Sequence, residues 1–314
     1  MTSLLCETVT GRTMAELVAG RGAATAADMV ELRLDGVADV DVARALHGRR
    51  VPAVVTCRPA WEGGRFTGGE EERRRLLAEA LACGAEYVDI EWRAVRDAHD
   101  AGFRDLVRSE PSRAVVSVHD FAGVPDDIGA QARAMRGTGA AVVKVAITAR
   151  RLSDTLPLVE IGRSSSAVVI GMGEAGVPSR LLASRFGSQW TYAGAAVAPG
   201  QMPARRMVEG FRFRSIGPGT ALYGVVGDEV MRSTLPVMFN AAFAEGGIDA
   251  VCVPLRAADG DDLRAFTQAL GFAGVVSDGA SREEAERQFE RWTGRTPAPD
   301  VMRETGHRAV ERRL

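Results

Sequence analysis

Ala141-Val142-Val143-Lys144-Val145-Ala146-Ile147 reads as a strand that is apolar on both faces except at one position. A half-exposed strand alternates apolar with polar residues, whereas a strand covered by helices on both sides need not, so continuous Val/Ile/Ala runs mark a parallel sheet. The interruption is Lys144, the sole lysine in a chain with 39 Lys+Arg. Every other cation is arginine, which does not shed its proton at neutral pH; a lysine amine desolvated among apolar neighbours becomes a nucleophile. The neighbours of Lys144 in sequence provide such a setting. The competing reading is an exposed charge on an edge strand, because burying an unpaired ammonium is costly.

Outward from this stretch, short β-branched runs alternate with Ala/Arg/Leu-rich helical stretches. The strands read are Leu4–Thr8, Met29–Asp35, Ala53–Arg58, Tyr87–Trp92, Ala114–His119, Ala141–Ile147, Ala167–Met172 and Thr191–Val197. Helices are expected around 13–20, 40–48, 70–83, 94–108, 127–138, 153–162, 178–186 and 203–211. Eight βα units in succession favour a closed (β/α)8 TIM barrel over a doubly wound open sheet. At 314 residues the chain exceeds the usual single-domain size, so a second, smaller domain is expected.

With 25% charged residues and a formal net charge of -2, nothing is basic enough to imply a nucleic-acid partner. Arg73-Arg74-Arg75, following Glu70-Glu71-Glu72, reads as a solvated helix face. The N-terminus turns polar too early for a signal peptide, and no apolar run reaches membrane-spanning length, so a cytoplasmic location without membrane contact is expected. Cys6, Cys57, Cys83 and Cys252 have no metal-ligand spacing; free thiols and no structural metal are expected.

The polar residues decide between barrel and open sheet. Glu31 and Arg33 lie in the second strand, Arg58 ends the third, and Asp89 and Glu91 are in the fourth. His119-Asp120 ends the fifth, Lys144 is in the sixth, Met172 closes the seventh, and Gln201 follows the eighth. In a barrel these C-terminal strand ends converge on one mouth, whereas an open sheet would scatter them along an edge. Taken singly, Glu31 and Arg33 could be an ion pair filling the barrel, and His119 a satisfied core histidine. Together, a lysine, a histidine of near-neutral pKa and several arginines suit imine chemistry on a small anionic keto acid. In Gly176-Val177-Pro178-Ser179-Arg180, a strand-to-helix loop with Pro at the helix start, backbone N–H groups and the Arg180 guanidinium are expected to face one anion.

Several segments, in order, resemble type I 3-dehydroquinate dehydratase over about residues 1–213. They are Glu31-Leu32-Arg33-Leu34-Asp35, Thr56-Cys57-Arg58 with Glu62-Gly63-Gly64, Ser117-Val118-His119-Asp120-Phe121, Val143-Lys144-Val145-Ala146, Met172-Gly173-Glu174-Ala175-Gly176 through Ser179-Arg180, and Ala198-Pro199-Gly200-Gln201. The resemblance implies a (β/α)8 lyase domain over 1–216 that converts 3-dehydroquinate to 3-dehydroshikimate in aromatic amino acid biosynthesis, with no metal or organic cofactor. It implies that Lys144 forms an imine with the ring ketone, that His119 is general base then acid, and that Glu62 orients it. Arg180 would bind the carboxylate; Glu31, Arg58 and Gln201 would hold ring hydroxyls or complete the anion site; Arg33 and Met172 would line the pocket. A homodimer is also implied. Four residues before Gln201 the family usually has Ser or Thr, and here stands Val197, which implies one lost substrate hydrogen bond, about 1 kcal/mol.

After Arg214-Ser215-Ile216-Gly217-Pro218-Gly219 the pattern restarts. Strands are expected at Ala221–Val226, Ala250–Pro254 and Gly274–Val276, and helices around 234–245 and 260–270. Tyr223-Gly224-Val225-Val226-Gly227-Asp228, Ser233, Pro236 and Asn240-Ala241-Ala242-Phe243 resemble the opening of the substrate-binding domain of shikimate dehydrogenase. The copy, 221–314, reads as truncated and inactive. Leu235 replaces a second serine, the family's catalytic lysine is absent, and no nicotinamide-binding fingerprint follows a strand. A decayed remnant, a docking or dimer surface, and a sensing module with an anion pocket near Ser233 remain as readings of it. The tail from Ser281 is expected to be a solvated helix with a weakly ordered end. For the whole chain, a non-enzymatic sensor of pathway metabolites and another class I lysine aldolase are the alternatives to the dehydratase.

Overall fold

The computed structural model describes residues 2–97, 101–164, 166–194, 200–298 and 300–311. Eight parallel strands carry the larger part: β1 (Leu4–Val9), β2 (Met29–Arg33), β3 (Ala53–Thr56), β4 (Tyr87–Glu91), β5 (Ala114–Asp120), β6 (Val142–Thr148), β7 (Ala167–Met172) and β8 (Trp190–Ala193). They hydrogen-bond in the order 7-6-5-4-3-2-1-8, and a parallel bridge between Ala167 and Ser188 brings the two ends together. The result is a (β/α)8 barrel. β3 and β7 are buried at every position, because the barrel interior takes one face and the outer helices take the other.

Some helices differ from their expected form, among them that expected around 40–48, which shrinks to Val42–Leu46. The single helix expected over 94–108 is two, Trp92–Arg96 and Ala101–Ser109, the first ending where Asp97 turns to an extended ψ of 116°. The helix expected over 178–186 shrinks to Val177–Leu181 and is buried throughout. Its start is set by backbone contact: a Cβ on Gly176 would lie 2.3 Å from the Gly171 carbonyl carbon, so only glycine lets the chain turn back so closely.

The Arg73 side chain is not a solvated charge. Arg73 is fully buried in the helix Glu70–Ala82, pairs with Glu91 and Glu70, and lies 4.2 Å over the Phe103 ring. Arginine is more weakly hydrated than lysine and stacks on aromatic faces, which is how a cation from a charged run enters the interior.

A second, parallel sheet follows: β9 (Ala221–Val226), β10 (Ala250–Leu255) and β11 (Phe272–Ser277), with β9 in the centre. The edge strand β11 alternates half-buried with exposed residues, as a one-sided strand should. Over the described residues, which run to Glu311, the tail is more packed than the expected solvated helix and weakly ordered end. Ser281 caps the helix Arg282–Thr293 in a reciprocal box with Glu284, and that helix buries Ala285 and Phe289. Beyond it, Met302 in the helix Val301–Glu311 is buried, and this helix packs on Leu235–Glu245. A few large apolar residues at helical spacing decide the matter despite the Glu/Arg composition.

The two sheets share one apolar core. Phe266, Leu270, Val251 and Val253 of the smaller region belong to the same buried cluster as Leu181, Leu182 and Phe186 of the barrel. No helix among the described residues is long and apolar enough to cross a membrane. All four cysteines are free.

Candidate active site at the C-terminal mouth of the barrel

Strand register builds the site. In parallel neighbours, paired residues face the same side, so Thr8 stands beside Glu31, Thr56 beside Asp89, and Ser117 beside Lys144. All of these point into the barrel near its C-terminal end. There a cavity of about 120 Å³ is lined by Lys144, His119, Glu62, Glu31, Arg33, Arg58, Met172, Arg180 and Gln201, the residues to which the resemblance gives a catalytic or binding part. Thr8, Gly63, Phe121, Ala146, Ile170 and Tyr192 complete the wall. A larger cavity of about 1060 Å³ opens at the opposite face, beside Leu4, Tyr87 and Trp190. It holds no lysine, and barrel enzymes keep their chemistry at the C-terminal end.

Lys144 is buried, as the opening stretch suggests, but its amine is not among apolar groups. Nζ lies 2.8 Å from Asp89 Oδ2 and 3.4 Å from Glu31 Oε1, and 4.4 Å over the Tyr192 ring. The apolar neighbours in sequence are those of the strand; the side chain reaches past them into a paired network. Burial alone would raise the pKa of Asp89, but Arg58 and Lys144 hold it well below the usual carboxylate range. Glu31 accepts from Thr8 Oγ1 at 3.1 Å and Thr56 Oγ1 at 3.0 Å, which fixes its carboxylate beside the amine.

Arg58 ties the floor together. Its Nη2 lies 3.0 Å from Asp89, and its Nη1 donates to Glu91 at 2.6 Å and Ser117 Oγ at 2.9 Å. Ser117 Oγ in turn donates to Asp89 at 2.6 Å. Arg33 does not pair with Glu31; its fork takes both oxygens of Asp35 at 2.8 and 2.9 Å, and Asp35 also accepts the amides of Arg58 and Arg65. This geometry gives Arg33 a fixed place on the wall.

His119 and Glu62 form the other side. Glu62 Oε1 accepts the His119 backbone N–H at 2.9 Å and lies 3.3 Å from Nδ1, so Nδ1 faces the carboxylate and Nε2 is left for the cavity. Burial and the positive charges of Arg58 and Lys144 push the imidazole pKa well below its ordinary value, not near neutrality as the sequence alone suggests. That direction favours the neutral imidazole. Burial pushes Glu62 up to about 7, against the opposing pull of Arg58 and the His119 amide.

Arg180 is buried at the end of the helix Val177–Leu181, and burial pushes its pKa down to about 10. The amides of the preceding turn do not join it in facing an anion. Gly176, Val177 and Ser179 donate theirs to Gly173, Glu174 and Gly176 carbonyls, and Pro178 has none. Gln201 reaches the rim with Nε2 3.5 Å from Thr8 Oγ1. Val197 lies outside the described residues.

Sequence reasoning placed Asp89 and Glu91 near the mouth but gave them no role, and it missed Thr8 and Tyr192. Two acidic residues inside a buried strand were the available signal. Thr8 and Tyr192 carry none, since both types occur in any strand.

Residues 5–218 match the family described as type I 3-dehydroquinase. A curated protein of Arabidopsis thaliana, named as a chloroplastic bifunctional 3-dehydroquinate dehydratase/shikimate dehydrogenase, is 32% identical over 291 residues, covering 87% of this chain and 47% of that protein. The chain thus spans about half of that relative, and the match reaches beyond the barrel. A 3-dehydroquinate dehydratase of Methanothrix thermoacetophila is 35% identical, over 62% of this chain and 84% of its own. The crystal structure of 3-dehydroquinate dehydratase from Geobacillus kaustophilus superposes with a TM-score of 0.58 at 27% identity, covering 66% of this chain and 90% of that one. The dehydroquinate dehydratase and shikimate dehydrogenase part of S. pombe AroM shares the fold over 93% of this chain and 58% of its own, with a TM-score of 0.56 at 18% identity.

Proposed function

This chain belongs to the type I 3-dehydroquinase family, and on that premise we propose that it removes water from 3-dehydroquinate through an imine on Lys144. The observation that carries the reading is the convergence of a buried lysine amine, an imidazole and a buried arginine on one cavity.

The geometry supports the following steps. Lys144 Nζ adds to the ring ketone and water leaves, giving a cationic imine still flanked by the Asp89 and Glu31 carboxylates. The imine draws electrons from the adjacent carbon, whose proton His119 removes through the nitrogen turned away from Glu62. The resulting enamine expels the β-hydroxyl, which takes that same proton from His119 and departs as water. A further water then hydrolyses the imine, releasing the unsaturated ketone and restoring the amine. The net change is loss of one water with no redox step.

Binding is assigned by charge and reach. Arg180 pairs with the substrate carboxylate, since its planar fork matches two oxygens. Glu31, Arg58 and Gln201 hold ring hydroxyls or complete the anion site, while Arg33 and Met172 shape the wall. Residues 1–216 are the catalytic domain in this reading, and residues 221–314 are a fused region similar to shikimate dehydrogenase. The pathway is that of aromatic amino acid biosynthesis.

Borohydride reduction in the presence of 3-dehydroquinate, followed by peptide mass mapping, tests the reading. An adduct on Lys144 is expected. No adduct would favour a sensor, and an adduct formed only with other keto acids would favour an aldolase.

A further inference from the structure

The loop after β6 is held by a residue from a helix of the smaller region. The amides of Arg150 and Arg151 are taken by Asp154 at 2.8 and 2.9 Å, a local cap. Those of Leu152 and Ser153, which open the 3-10 turn Leu152–Thr155, are taken instead by Asp262 at 3.0 and 2.9 Å. Asp262 stands in the first turn of the helix Gly260–Leu270, and its side chain is fully removed from solvent. Its carboxylate also accepts the Ala258 amide at 2.9 Å, so its acceptor capacity is spent on fixing two chain segments against each other.

The β6 loop is in turn bonded to the wall of the cavity. Ala149 donates its amide to the Met172 carbonyl at 3.0 Å, and Met172 lines the site. Thr148 Oγ1 donates to the Asp120 carbonyl at 3.1 Å, one residue from His119. The chain packs closely beside Gln201: a Cβ on Gly200, whose φ is +79°, would stand 2.7 Å from the Gly173 carbonyl oxygen, so Gly200 rests on Gly173, the residue after Met172. Backbone contacts this tight transmit a displacement rather than absorb it.

We propose that the smaller region braces the catalytic mouth, with Asp262 as a positioning residue that acts through the β6 loop on Met172 and the His119 strand end. The inference rests on the dehydratase reading and adds to it a part for residues 221–314 in the reaction of the barrel. Asp262 touches no reacting atom; its effect is on geometry, to which a rate responds steeply.

The test uses the full chain with Asp262→Ala and Asp262→Asn, measuring kcat and KM for 3-dehydroquinate, thermal unfolding, and amide exchange at Leu152 and Ser153. Asp262→Ala is expected to lower kcat roughly tenfold to a hundredfold with a smaller change in KM, and to raise exchange at those two amides. Asp262→Asn keeps one acceptor oxygen and should fall between Ala and wild type, which also serves if the alanine variant does not fold. Asp259→Asn, which weakens the exposed pair with Arg151 but keeps an oxygen to cap the Asp262 amide, should leave kcat within about twofold, as exposed ion pairs do. Freed amides with an unchanged kcat would overturn the brace and leave the dehydratase reading standing. A wild-type chain that forms no imine and does not turn over would remove both.

Discussion

At the mouth of the barrel, Glu31, Arg58, Asp89, Glu91 and Lys144 are all withdrawn from water, each against an opposite charge. In the smaller region, Asp262 apart, the core is built instead of rings: Tyr223 stacks on the half-buried Trp292 at 4.3 Å between centroids and on Phe243 at 5.4 Å, and Phe289 stacks on Phe243 at 5.4 Å. The strand ends there carry charges too, but Asp228 and Arg256 pair out in solvent. Paired charges kept dry are costly to assemble and gain little stability over an apolar filling, so they persist where chemistry needs them. Packed rings contribute stability directly. One part of the chain is organised for reaction, the other for cohesion.

The largest expected effect breaks the first half of that contrast. Lys144→Met removes the proposed nucleophile and the cation between Asp89 and Glu31, leaving Asp89 paired with Arg58 alone. Lys144→Arg keeps a cation there but forms no imine. Both should lose turnover by roughly 10⁶-fold, the scale on which deleting a covalent nucleophile acts. Steady-state assay with 3-dehydroquinate checks this. An arginine variant that still turned over would show that the charge, not the amine, is what the mouth requires.

The second half is broken at Phe289, buried in the helix Arg282–Thr293. Phe289→Ala should cost about 3–5 kcal/mol of stability through lost contacts and the cavity left behind, read as a lower urea midpoint. Well below that midpoint the borohydride adduct on Lys144 should form at the wild-type rate, because Phe289 belongs to a core cluster separate from the one that joins the sheets. A slowed adduct in folded protein would mean that cohesion and reaction are not separable in this chain.

The barrel was legible because its strands are apolar on both faces and its polar residues recur at their C-terminal ends. That pattern needs no knowledge of contacts. What surrounds Lys144 was not legible: a strand sequence reports the neighbours of the backbone, while Nζ reaches Asp89, 55 positions away, across the barrel interior. The low pKa of His119 escaped for the same reason, since burial and the cations responsible come from other strands. Arg73 and the tail failed differently. Composition assigned a solvated face to one and loose chain to the other, yet the Phe103 ring and Glu91 draw Arg73 inward, and Phe289 and Met302 suffice to dock the tail.

The smallest effect sharpens the contrast within the mouth itself, between a base that is neutral from the outset and the carboxylate that orients it. Glu62 accepts from His119 most strongly when ionised, and with its pKa pushed up to about 7 it is ionised above that pH and protonated below. The fraction of enzyme with an oriented imidazole therefore grows as pH rises, and kcat/KM, which reports the free enzyme, should climb through a midpoint near 7. His119 contributes no such limb there, because its own pKa lies well below its ordinary value and it is already deprotonated. Glu62→Gln removes the titrating group and weakens a charge-assisted hydrogen bond worth about 1.5–3 kcal/mol, roughly a tenfold to hundredfold loss at high pH. Below the midpoint the gap to wild type should narrow, since a protonated Glu62 and the amide of the variant offer His119 similar neutral partners. A variant profile that kept the wild-type limb would assign the titration to another group and leave Glu62 a merely structural contact of the His119 amide.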